Sequence, residues 1–422
     1  MPRVWAGRLA PVGAVALLAL ALLFAVFRAG TMDRVGDVDL GASHWLMTDF
    51  RTIAYFPATA FADGINPYDD AAYRPRYGAP AAFQGYPPAV LLINAPYAAL
   101  GLSAAILVKA GTTVGLTGLL GFVSLKLSGI QPTFVRVAAL LGILLLSRPG
   151  HWNLMLGQLT TPMVLAVYVV LSVPRERTVP AGIALAIAML KPTYGIPLAV
   201  VMLFRQQIGG LLLGGVLTAA ANLAVLAVLA ERSGGFGRAV ALMLEPTRSL
   251  DASDITSNFG AFRIDASGML SRITGRPLGL VFSLAVAAAV IAVVVYGARR
   301  YARRAGGAHP EPLEVGLTCA AILLCVYHNG YDLLLLTWPA TALAWRVAQA
   351  PAAATAGEWF RLSLLGLLAV NYLSTYTVLQ AIGFDSPWAV PVVSVNSVVL
   401  LALFASYAWE AVRSPAPVEA PA

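Results

Sequence analysis

A chain of 422 residues that is 59% hydrophobic, 11% charged and +0.77 in mean hydropathy cannot be a water-soluble globule. It reads as an all-α polytopic membrane protein, and apolar runs recurring from residue 9 to residue 411 make one membrane domain over 1–422 the simplest organisation. The net charge of +8 does not point to nucleic acid, because the basic residues punctuate apolar segments instead of forming one patch.

Arg3 and Arg8 precede an apolar run over 9–27 that is too long for a signal-peptide core and lacks a small-x-small cleavage site. It reads as a retained first helix with a cytoplasmic N-terminus. A polar, aromatic stretch over 29–104 follows, carrying Asp49-Phe50, Asn66-Pro67-Tyr68-Asp69 and Tyr86-Pro87-Pro88. A carboxylate beside an apolar run is costly and marks Asp49 as the candidate catalytic residue; the plainer reading is a solvated loop carboxylate. Asn66 to Asp69 is a turn signature, since proline presets φ and Asn and Asp bond their own backbone. Tyr86-Pro87-Pro88 reads equally as a helix start with an interfacial aromatic. The segment 88–101 is placed as an outer-face interfacial or re-entrant helix.

Eleven further runs follow, over roughly 105–125, 134–147, 160–173, 179–190, 193–204, 209–229, 277–296, 313–327, 333–347, 362–380 and 389–411, giving about twelve spans with the first. Alternating sides puts Lys126, Arg136, Arg175, Arg177, Arg205, the arginines at 299, 300, 303 and 304, Arg346, Arg361 and Arg413 inside. The short loops then obey the positive-inside rule, both termini are cytoplasmic, and the long loops 29–104 and 230–276 lie outside. The segment 179–204 allows only two half-length helices, broken where Pro192 removes a donor and disfavours helix at Lys191. Irregular backbone at that depth survives only where it lines a cavity or is packed in protein, so Lys191 is expected at a wet site, holding an anion.

In this topology Asp49, Tyr68, Tyr86, Arg148, His151, Trp152, Gln158, Lys191 and the run from His328 to Asp332 share the non-cytoplasmic face. His328 and Asp332 are four apart, so one helical face presents both and Asp332 orients the imidazole, or they are a helix-end pair. His151-Trp152-Asn153 with Gly157-Gln158 offers a stacking and hydrogen-bonding surface suited to sugars, unless Trp152 is only an interfacial anchor.

The chain has no His-Glu-x-x-His, Walker or Gly-x-Gly-x-x-Gly signature, which removes support for metalloprotease, NTPase and dinucleotide readings. A histidine metal cluster is disfavoured, because His309 falls on the other side from His44, His151 and His328. Cys319 and Cys325, six apart on one helix, point to different faces and cannot form a local disulfide.

In order and spacing, Asp49-Phe50, Asn66-Pro67-Tyr68, Tyr86-Pro87-Pro88, Gly157-Gln158, Lys191-Pro192 and the late His328-x-x-Tyr331-Asp332 run resemble glycosyltransferase family 87 over about 45–335. The resemblance implies a GT-C-like bacterial plasma-membrane mannosyltransferase that uses a polyprenyl-phosphate sugar donor on the outer face. It implies no cofactor beyond that co-substrate, a lipid or glycan acceptor, membrane lipids as partners, and Asp49 as catalytic base with inversion. In that frame Lys191, His328, Arg51 and Arg148 are the candidates for the donor phosphate. Tyr68, Tyr86, His151, Trp152, Gln158 and Asp332 are the candidates for sugar and acceptor. A metal is not expected, with only Asp37-x-Asp39 keeping a metal-assisted variant open. The competing classes are a transporter or flippase of lipid-linked sugars, which the break at Lys191 also suits, and a scaffold subunit.

Overall fold

The computed structural model describes residues 2–32, 46–77, 82–250, 262–276, 278–304, 311–383 and 386–413. Asp37, Asp39, His44 and His309 lie outside them. The described residues form helices and no strand, with one isolated bridge between Arg263 and Asn329.

The first helix, α1, is Pro2–Met32. The stretch after Asp49 winds as a π-helix over Phe50–Tyr55 and continues into α2 (Phe56–Ala62), α3 (Asp70–Tyr77) and α4 (Ala89–Ala98). A long helix, α5 (Leu102–Leu127), precedes α6 (Phe134–Leu146) and α7 (Arg148–Leu156), which meet at a 75° bend. Ser147 makes that bend. Its extended backbone stops α6, and its hydroxyl accepts from the Gly150 amide to cap α7, where Pro149 needs no donor.

Next come α8 (Thr160–Ser172), α9 (Thr178–Ala188), α10 (Pro192–Phe204), α11 (Ile208–Arg232), α12 (Phe236–Leu250) and α13 (Ala266–Thr274). The last six are α14 (Leu280–Arg304), α15 (Pro312–Cys325), α16 (Thr337–Gln349), α17 (Ala356–Val370), α18 (Tyr376–Ile382) and α19 (Ala389–Arg413). The region 230–276, expected as a long loop, thus carries α12 and α13.

Among the described residues five helices are long and apolar enough to cross a membrane: α5, α11, α14, α19 and α1 from Pro11 to Thr31. The bent pair α6–α7 makes a sixth if it is one span, whereas α4, α8, α9, α10 and α15 are apolar but only 10–17 residues long. The protein is therefore a polytopic membrane protein by its helices, but most of the expected runs do not form full-length spans. The run 362–380 is not one helix. Asn371 ends it by accepting from the Leu373 amide and donating to Ser374 and to Asn396 on α19, so side chains satisfy backbone that a continuing helix would have.

Small residues let the short helices pack closely. A Cβ on Gly214 would sit 2.8 Å from the Leu185 side chain, so α11 lies against α9 at backbone distance. The outward faces stay apolar, as at Leu107 and Val216, which suits lipid contact.

Candidate active site

The site forms where the start of the π-helix meets the end of α7. The Met47 amide donates to the Met155 carbonyl at 2.7 Å, which lays residues 47–50 across the end of α7. Gly157 caps α7 at φ 69°, and a Cβ there would lie 2.6 Å from the Phe50 Cβ and 2.7 Å from the Met47 sulfur. Only glycine allows both that conformation and that approach. The turn it makes aims Gln158 at Asp49, whose carboxylate accepts from the Gln158 amide nitrogen. Asp49 is half-buried. Burial raises its carboxyl to about 6, against the opposing pulls of the Gln158 bond and the Lys191 charge.

Lys191 sits at the break between α9 and α10 with extended backbone, its Nζ 2.7 Å from Asp332 Oδ1 and near the rings of Tyr194 and Tyr331. Asp332 is fully buried and saturated. Oδ1 also accepts from Thr160 and Tyr194 at 3.0 Å, and Oδ2 accepts from the Asn329 amide and meets His328 Nδ1, both at 3.0 Å. A buried carboxylate persists only with such a complete set of partners. Asn329 and Asp332 close a capping box on the 3-10 turn Gly330–Leu336, which explains the His-x-x-x-Asp spacing locally.

The residues just past Gly157 join the two halves, since Gln158 holds Asp49 and Thr160, two residues on, holds Asp332. Tyr86 is half-buried and its hydroxyl is pushed well above 10, first by burial and then by Asp49 and Asp332. Asp49, Gln158, Lys191, His328, Asp332 and Tyr86, expected at one site, are therefore together.

Several expected site residues make contacts other than the expected ones. Tyr68 is buried against Phe83, and its hydroxyl donates to the Tyr86 carbonyl at 2.7 Å; it places Tyr86 and presents no free group. Its turn is held by the Asn66 side chain, which accepts from the Tyr68 amide. His328 is enclosed, its Nε2 3.2 Å from the Thr193 carbonyl, so both ring nitrogens face protein oxygens and neither is free for a phosphate.

Arg148 stacks on Trp152 at 3.9 Å beside a cavity of about 20 Å³ shared with Phe262, Gly330 and Asn396, room for about one water molecule and not for a sugar. His151 turns toward Phe24 of α1, with ring centroids 4.8 Å apart and both ring nitrogens unpartnered. Arg51 lies two residues past Asp49 on the π-helix, half-buried.

The structure adds Lys109, unremarked within the apolar run 105–125. It is 5% exposed, donates to the Gln158 carbonyl at 3.1 Å, and has no carboxylate partner among the described residues. An ionisable residue inside an apolar helix was the available signal. Thr160 and Tyr194 carried no signal of their own, since only the fold turns them onto Asp332. Among the described residues no three of His, Cys, Asp and Glu cluster as metal ligands would.

No curated protein and no solved structure matches the chain. The family model of glycosyltransferase family 87 matches residues 83–327, a stretch that holds Tyr86, Lys109, Gln158 and Lys191 and ends one residue before His328. Because that stretch is more than half of the sequence and meets the site from within, the chain belongs to glycosyltransferase family 87 and is a membrane glycosyltransferase.

Proposed function

We propose that the enzyme moves a hexose, mannose by family resemblance, from a polyprenyl-phosphate donor to a hydroxyl of a lipid or glycan acceptor on the non-cytoplasmic face of a bacterial plasma membrane. Asp49 takes the acceptor proton as the acceptor oxygen attacks the anomeric carbon. The bond from that carbon to the phosphate oxygen breaks, and the polyprenyl phosphate leaves with the electron pair. Attack opposite the leaving group inverts the anomeric centre.

The observation that carries this reading is a half-buried carboxyl held near 6 with one oxygen on Gln158. A base with that value is ionised at neutral pH yet basic enough to accept a proton in the transition state. Charge developing on the departing phosphate meets Lys191, whose remaining ammonium protons are not spent on Asp332, with Arg51 as the second candidate cation. His328 acts through Asp332, and Tyr86 is the aromatic wall for the sugar. The topology belongs to the same proposal: a GT-C-like bundle of about twelve membrane segments, both termini cytoplasmic, requiring no metal.

The test is transfer by the purified protein in lipid nanodiscs, given radiolabelled polyprenyl-phosphate mannose and a membrane lipid extract. A labelled glycolipid with inverted configuration is expected. Absence of product with this donor, but product with a nucleotide sugar, would overturn the donor class.

A further inference from the structure

A groove of about 570 Å³ lies away from the Asp49 site, between α10, α14 and α15. One end is a charged rim formed by Arg175, Glu176, Arg205, Arg299 and Glu314. Within it Arg175 pairs with Glu176 at 2.8 Å and Arg205 with Glu314 at 3.4 Å, while exposed Arg299 has no carboxylate partner among the described residues. The rim is thus positive by one charge. Beyond it the walls are apolar, with Pro197, Val201, Val294 and Ile322 along the length.

The depth limits what fits. On α15 the lining runs from Glu314 to Cys325, eleven residue steps, or about 16 Å at 1.5 Å per residue. One leaflet of a bilayer has about 15 Å of hydrocarbon, half of a core of about 30 Å. A positive rim above an apolar slot one leaflet deep matches a lipid with an anionic head and an acyl chain. By the charge rule the rim faces the cytoplasm, where the leaflet is anionic.

We propose that this groove is a binding site for one anionic glycerophospholipid of the leaflet on the arginine side, its phosphodiester at Arg299 and Arg175 and one acyl chain along α10 and α15. A polyprenyl donor does not meet the same description, because in the proposed reaction its phosphate sits at Lys191, at the opposite end of α10. That exclusion rests on the proposed function, whereas the fit of the groove to an anionic phospholipid does not.

The test uses the full chain in phosphatidylcholine nanodiscs containing a trace of phosphatidylglycerol with a diazirine at the end of one acyl chain. Photolysis and peptide mapping are expected to label the segments around Pro197–Val201 and Ile322–Cys325, and excess unlabelled phosphatidylglycerol, but not phosphatidylcholine, removes the label. Val201→Trp, which fills the groove, and Arg299→Glu, at an exposed position, each lower that labelling, Arg299→Glu by about tenfold, the loss expected for one charge-assisted contact. Labelling on the lipid-facing side of α11 at Leu212 and Val216 stays constant. Equal groove labelling in wild type and Arg299→Glu, or competition by a polyprenyl phosphate and not by phosphatidylglycerol, would overturn the proposal.

Discussion

The Lys191 ammonium lies 2.7 Å from the Asp332 carboxylate, across 141 residues of sequence, and both side chains are all but fully buried. The pair joins the α9–α10 break to the 3-10 turn before α16, so the irregular backbone at both places is held by one contact. Charge neutralisation inside the bundle makes each partner conditional on the other.

Removing one partner therefore costs more than removing both. Lys191→Met leaves Asp332 buried with one cation fewer and is expected to lose about 3–5 kcal/mol, while Lys191→Met with Asp332→Asn recovers most of it. Thermal unfolding in detergent, followed by tryptophan fluorescence, measures both. Equal loss in single and double variants would show that the pair is not coupled. Transfer is expected to stay low in the double variant, because the cation proposed for the phosphate is gone.

Asp49→Asn keeps the acceptor for Gln158 and removes the proposed base, so turnover is expected to fall by about 10²–10⁴. Donor binding should change little. Burial holds the Asp49 carboxyl above its usual value, so the ionised form burdens the fold at neutral pH, and the Asn variant should melt no lower than wild type. A variant that keeps near wild-type transfer would remove Asp49 from the mechanism.

The pH dependence follows from the same group. A base works only when ionised, so kcat/KM is expected to rise about tenfold per pH unit below 6 and to level off above it. Stability takes the opposite sign: a raised carboxyl favours the folded state at low pH, and that share is lost as pH rises through about 6. Rate profiles of wild type, and melting curves of wild type against Asp49→Asn, check both. An acid limb centred near 4 in the rate profile would contradict the assignment.

Lys109 separates positioning from structure. Its buried charge has no ion-pair partner among the described residues, so Lys109→Met should be neutral or stabilising if packing were all that mattered. If it steadies the Gly157–Gln158 turn, turnover falls by about tenfold to a hundredfold with the fold intact, and the pH limb set by Asp49 shifts with it. An unchanged limb with unchanged turnover would leave Lys109 without a part in the site.

The topology is checked by labelling. A cysteine introduced at Ser253, which lies outside the described residues in the region 230–276 proposed to be non-cytoplasmic, should react with an impermeant maleimide in intact cells. Reaction only after lysis would reverse the orientation and place the Asp49 site on the cytoplasmic face.

The sequence by itself determined what local physics decides. Hydropathy set the membrane class, Pro192 set the break beside Lys191, Asn66 and Pro67 set the turn before Tyr68, and the four-residue spacing of His328 and Asp332 brought those two together. These rest on rules that reach no further than about one helical turn. Only the tertiary structure decided the pairs that span the chain: Gln158 on Asp49, Lys191 on Asp332 and Tyr68 on the Tyr86 carbonyl. It also turned His151 onto Phe24, a contact that nothing in the local sequence specifies. Lys109 joined the site for the same reason, since which face of a long helix meets a buried turn is a property of the packing and not of the helix.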